Sequence, residues 1–161
     1  MSVNTVFTVP KDRQGVTIRL DKGAALEGEI FLESVSDDLS VHQKVAAFLE
    51  NNNAFFPVKV NSSGNTEFVN KKNVRMVDVD FPEGPDTNYF SFRIMRAISV
   101  TALFSDGEAV SGELMAEVPE EKARLSDCLN LPDKFLSVKA GGKMRYINKE
   151  ALQKVVHTDK A

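Results

Sequence analysis

Apolar and polar residues alternate along two stretches of the chain that are built alike. In the first, Val16, Ile18 and Leu20 alternate with Thr17 and Arg19, and Leu26, Gly28, Ile30 and Leu32 alternate with Glu27 and Glu29. A period of two marks strands with one buried face, so this spacing predicts a β-hairpin turning near Lys22-Gly23. The pattern returns in VTALFSDGEAVSGELMA, where Val16 to Leu32 lies over Val100 to Ala116 without a gap, at an offset of 84 residues. Val16/Val100, Thr17/Thr101, Gly23/Gly107, Gly28/Gly112 and Glu29/Glu113 coincide. Asp106-Gly107 supplies the second turn, and Gly28 and Gly112 fall on the inward register, where a missing Cβ permits curvature or close backbone approach.

After each hairpin the period lengthens. Val41, Val45, Phe48 and Leu49 stand at helical spacing, matched by Leu125, Cys128 and Leu129, which predicts a short amphipathic helix in each unit. Pro119, Glu120 and Glu121 suit a helix first turn. Then FFPVKV matches KFLSVKA, with Phe55 to Lys59 over Phe135 to Lys139 at an offset of 80. Turns are expected at Ser63-Gly64 and Gly141-Gly142. Val69-Asn70-Lys71 meets Ile147-Asn148-Lys149 at an offset of 78, with Val74 over Leu152 and Val77 over Val155.

The chain therefore divides into a first repeat over 1–79 with an N-terminal strand at Val3 to Val9, and a second over 98–161. The linker over 80–97 contains a strand-like YFSFRI. Units this small sit near the lower limit for a self-sufficient core, so the two are expected to pack on each other. The predicted architecture is mainly β with short helices (α+β): two tandem small β-barrel units, each β-β-α-β-β-β, related by pseudo-twofold symmetry.

Little of the composition points to chemistry. Twenty Lys and Arg against 23 Asp and Glu leave a net charge of −3, which excludes a strongly basic nucleic-acid protein. One cysteine cannot form an internal disulfide, the first ten residues lack a signal-peptide pattern, and no apolar run spans a bilayer, so a cytoplasmic protein is expected. Cys128 aligns with Phe48 and is read as core. His42, aligned with Lys122, is placed on the solvated side of its helix, and His157 lies in a charged tail, so neither is read as a metal ligand. Glu29 and Glu113 point away from the apolar register. No catalytic residues and no cofactor emerge, and the expectation is a non-enzymatic module.

What the apolar pattern leaves over is a duplicated Asn-Lys pair, Asn70-Lys71 and Asn148-Lys149, at corners between short strands. Asn suits such a corner for backbone reasons, whereas a lysine there can reach a phosphate or a carboxylate. These four residues are the candidate ligand- or partner-binding positions.

The hairpin VTIRLDKGAALEGEIFLE and the endings FVNKKNVRMV and YINKEALQKV resemble the two motifs of Sm-like small β-barrels, a class close to SH3-like barrels. That resemblance implies a bent barrel and RNA contacts at Asn70, Lys71, Asn148 and Lys149. Sm-like proteins carry their helix before the first strand, whereas here it interrupts the middle. The doubled pattern is also similar to poorly characterised bacterial tandem-repeat proteins of unknown function. Charge opposes RNA: residues 16–79 carry seven Lys and Arg against nine Asp and Glu, and residues 98–156 eight against nine. The leading expectation is an interaction or assembly module with a protein partner or self-association; RNA or nucleotide binding through the Asn-Lys turns is the alternative.

Overall fold

The alternating stretches become long strands. The computed structural model describes residues 11–22, 25–33, 40–80, 96–116 and 124–158. The first half contains β1 (Lys11–Leu20), β2 (Leu26–Glu33), α1 (Val41–Glu50), β3 (Phe55–Val60), β4 (Thr66–Asn70) and β5 (Val74–Asp80). The second contains β6 (Arg96–Phe104), β7 (Ala109–Ala116), α2 (Leu125–Leu129), β8 (Phe135–Ala140), β9 (Lys143–Asn148) and β10 (Leu152–His157). The Val3 to Val9 strand, the YFSFRI strand, the Pro119 helix start and the glycine of the Lys22-Gly23 turn were expected at positions outside the described residues.

All ten strands join one antiparallel sheet in the order β10-β6-β7-β8-β9-β5-β1-β2-β3-β4. This corrects the expectation of two tandem small barrels. The sheet is open, and β5 of the first half pairs directly with β9 of the second. The pseudo-twofold relation is corrected with it. A twofold axis would set like strands against each other, whereas here the last strand of one half meets the next-to-last strand of the other. Period-two alternation specifies which face of a strand is buried; it carries no information about which neighbour satisfies the N–H and C=O groups of an edge.

Each half follows the same internal strand order, β5-β1-β2-β3-β4 and β10-β6-β7-β8-β9. Both carry a register shift at the corresponding place, between Arg19 and Leu20 against β5 and between Leu152 and Lys154 against β6. β1 starts before Val16, where the alternation begins, because Lys11 to Gly15 continue the ladder against Glu33 to Glu29. A Cβ on Gly28 would collide with the Lys59 carbonyl oxygen, and one on Gly112 with that of Lys139, so both glycines let adjacent strands pass at close range. Gly107, Gly141 and Gly142 take the positive φ their turns require.

α1 begins at a capping box: the Ser40 hydroxyl accepts from the Gln43 N–H while the Gln43 side chain accepts from the Ser40 N–H. Its inner face buries Val45 and Leu49, and also His42, which the sequence pattern placed in solvent. The core has two parts that cross the joint. Phe135, Met144 and Tyr146 of the second half pack into the first-half cluster around Val45, Leu49 and Val77, and Met76 of the first half packs into the second-half cluster.

Candidate interaction edges and the joint between the halves

The duplicated Asn-Lys pairs have matching local roles. Asn70 and Asn148 both sit in extended backbone, and each side-chain oxygen accepts from the N–H two residues on, capping a single 3₁₀ turn. The left-handed conformation often tolerated by Asn is not used. Lys71 donates from Nζ to the Asn51 carbonyl oxygen at 2.8 Å and to Asn51 Oδ1 at 2.6 Å. Lys149 donates from Nζ to the Leu131 carbonyl oxygen at 2.6 Å. Each ammonium thus satisfies backbone left over just beyond a helix C-terminus. Desolvation pushes both lysines below their ordinary pKa; Lys134 adds repulsion at Lys71, and nearby carboxylates partly offset the shift at both.

The two corners come together at the joint. Lys71, Lys72, Lys134, Asn148 and Lys149 line one groove of about 460 Å³, whereas Asn70 lies outside it. Asn148 also bridges the halves: Nδ2 donates to the Val74 carbonyl oxygen at 2.9 Å and faces that of Lys71 at 3.4 Å. The Glu50 carboxylate, at the end of α1, accepts from the backbone N–H groups of Lys134 and Phe135 at 2.8 and 2.9 Å. His42 Nδ1 lies 3.0 Å from the Tyr146 hydroxyl, with the two rings stacked. Burial lowers the His42 pKa to about 4, so the ring is neutral at physiological pH.

At the other end of the joint, Arg75 of β5 donates to Asp21, Asp106 and Glu108 at 3.0, 2.9 and 2.6 Å. Arg19 pairs with the second Glu108 oxygen. Desolvation opposes the guanidinium charge, but the three carboxylates outweigh it and keep Arg75 firmly protonated. Asp106 is held below the usual carboxylate range by the Glu108 N–H and by Arg75. Asp78 and Arg145 face each other across β5 and β9 at 3.9 Å. Desolvation raises the Asp78 pKa against the pull of Arg145, Lys143 and Arg19.

The outer edges look different from the inner joint. β5 is buried from Val74 to Val79, whereas no residue of β10 is buried. β9 buries Met144, Tyr146, Ile147 and Asn148, whereas β4 buries Val69 alone. Among the described residues, Phe55, Phe68, Leu131 and Val156 are the exposed large hydrophobics. Phe68 and Val156 lie on the outermost strands β4 and β10, and Phe55 lies on the adjoining β3. The sequence pattern singled out neither Arg75 nor these apolar residues as candidate positions. The repeat alignment held the signal, since it sets Phe55 over Phe135 and Phe68 over Tyr146.

Cys128 is buried in the second core cluster, where desolvation followed by Asp127 raises its pKa, the opposite of what a thiolate nucleophile needs. Among the described residues no group of His, Cys, Asp and Glu is placed to hold a metal ion. No helix among them is long and apolar enough to cross a membrane. Comparisons with family models, with curated proteins and with solved structures find no match to this chain.

Proposed function

We propose that this protein is a non-enzymatic interaction and assembly module of the bacterial cytoplasm, acting through the two outer edges of its sheet. The observation that carries this reading is the exposure of one large apolar side chain on each outermost strand, Phe68 on β4 and Val156 on β10. An outermost strand offers a row of N–H and C=O groups to a partner, and soluble proteins ordinarily guard such strands with charge or proline. Here β4 and β10 carry exposed Glu67 and Lys154, and beside them they also expose Phe68 and Val156. The buried, unreactive Cys128 fits a reducing compartment and gives no support to thiol chemistry.

The test is association measured with and without the apolar edge. Light scattering over a range of concentrations, together with retention of proteins from a bacterial lysate, is compared for the wild type and Phe68→Asp. The expected result is association or retention that the substitution weakens. A strict monomer that retains nothing removes the reading.

A second reading, RNA or nucleotide binding, draws support from the groove that collects Lys71, Lys72, Lys134 and Lys149. Lys71 and Lys149 already spend their ammonium groups on carbonyl oxygens, so Lys72 and Lys134 would carry the phosphate contacts. Salt-sensitive binding of a single-stranded RNA that falls in Lys72→Ala/Lys134→Ala would favour it; unaltered binding would dismiss it.

A further inference from the structure

The β5–β9 joint is a template whose two complementary edges recur, unmatched, at the ends of the same molecule. Counting strands by their place in each half, β5 corresponds to β10 and β9 to β4. The chain has joined one edge of each kind internally. Among the described residues it presents one of each kind outside, β10 at one end and β4 at the other.

Resting on the assembly reading, we propose that copies of this chain associate head to tail, with β4 of one molecule pairing antiparallel to β10 of the next in the register of the internal joint. Within the chain, Val77 lies opposite Tyr146, Asp78 opposite Arg145 and Val79 opposite Met144. Shifting these by the repeat offset of 78 sets Val155 opposite Phe68, Val156 opposite Glu67 and His157 opposite Thr66.

Three observations select a second copy as the occupant. First, the exposed aromatics are those the internal joint buries: Phe55 and Phe68 are 53% and 68% exposed, while their counterparts Phe135 and Tyr146 are 7% and 1% exposed. Second, Asn70 repeats Asn148 in sequence and in its 3₁₀ cap. Asn148 donates to the Val74 carbonyl across the joint, so Asn70 is set to donate to the Leu152 carbonyl of the neighbour. This gives the duplicated asparagine a purpose that a cap alone does not require. Third, the edges are unlike and complementary, so the contact is heterologous: it leads to a ring or a filament, and each added molecule presents the same pair of edges again.

The outer joint lacks the polar clamps of the inner one. Gln153 stands where Arg75 stands, and Lys22 where Asp106 stands, so the ion cluster has no equivalent. Asn130 replaces Glu50, the carboxylate that caps β8. The outer pairing is therefore the weaker of the two and depends on concentration.

Sedimentation velocity of the full chain tests this, using Val156→Glu and the double variant Glu67→Lys/Val156→Glu. Both positions are exposed, and urea midpoints matching the wild type establish that the variants fold. The expected result is wild-type mass rising above 17.8 kDa with concentration. Val156→Glu should weaken association by about tenfold or more, because it sets a carboxylate opposite Glu67. The double variant should recover it, since the proposed register alone makes these two residues partners. Association insensitive to Val156→Glu, or not restored by Glu67→Lys, overturns the pairing while leaving the assembly reading standing. A wild type that is monomeric throughout, yet retains another protein in a Phe68-dependent way, overturns self-pairing and keeps the module.

Discussion

The Arg75 guanidinium lies 4.6 Å above the centre of the Phe104 ring, a contact between a side chain of the first half's last strand and one of the second half's first strand. The same side chain gathers Asp21 from one hairpin turn and Asp106 from the other. One residue thereby adds charge-assisted hydrogen bonds and a cation–π contact to the β5–β9 ladder that joins the two halves. Arg75→Met is expected to lower unfolding stability by about 2 kcal/mol. This is below the ~3–5 kcal/mol of a fully buried pair, because Asp21 and Asp106 keep 53% and 57% of their side-chain surface in water. Urea unfolding measures it, and an unchanged midpoint would remove Arg75 from the joint.

His42 makes stability depend on pH in a predictable direction. Its folded pKa of about 4 lies below the ordinary 6.5, so the native ring stays neutral where the unfolded ring takes up a proton. Its contribution is whole above pH 6.5 and is lost as pH falls toward 4, by up to about 3 kcal/mol. Carboxylates titrate in the same range, so the informative quantity is the difference between wild type and His42→Gln. Denaturation at several pH values between 7.5 and 4.5 should give a shallower slope for the variant, and equal slopes would contradict the assignment.

Gly28 and Gly112 should be intolerant of even one added methyl. Alanine at either position must push back the carbonyl of Lys59 or Lys139, with an expected loss of roughly 1–3 kcal/mol. Gly15 is the control, because a Cβ there meets nothing within 4 Å. Gly15→Ala should be neutral or slightly stabilising. Equal thermal midpoints for all three variants would show that the strands do not pass as closely as described.

Lys71 and Lys72 are neighbours with opposite expectations. Lys71→Met strips the Asn51 carbonyl and side chain of their donor and should cost about 1–3 kcal/mol. Lys72 is exposed, and Lys72→Met should stay within about 0.5 kcal/mol. Chemical denaturation of the two variants side by side separates a stabilising lysine from a solvated one, and equal losses would count against the structural role of Lys71.

The candidate positions were partly legible. Asn70, Lys71, Asn148 and Lys149 stand out because the apolar pattern does not account for them, and the structure gives each a local hydrogen-bonding role. Arg75 was not legible: its three carboxylates come from Asp21, Asp106 and Glu108, and spacing along the chain gives no sign that these positions converge. His42 was misplaced for the same reason, since its partner Tyr146 lies 104 residues away on the other half.

Local alternation determined the strands of both hairpins and their buried faces, the turns at Gly64, Gly107 and Gly141-Gly142, and the helices that interrupt both hairpin series, because these follow from side-chain period and backbone sterics within a few residues. Tertiary structure decided that β5 meets β9, that one open sheet replaces two closed units, and that Phe68 is left outside where Tyr146 is enclosed. Edge pairing is a competition among all available N–H and C=O rows over long loop closures, and no local run of residues encodes its winner.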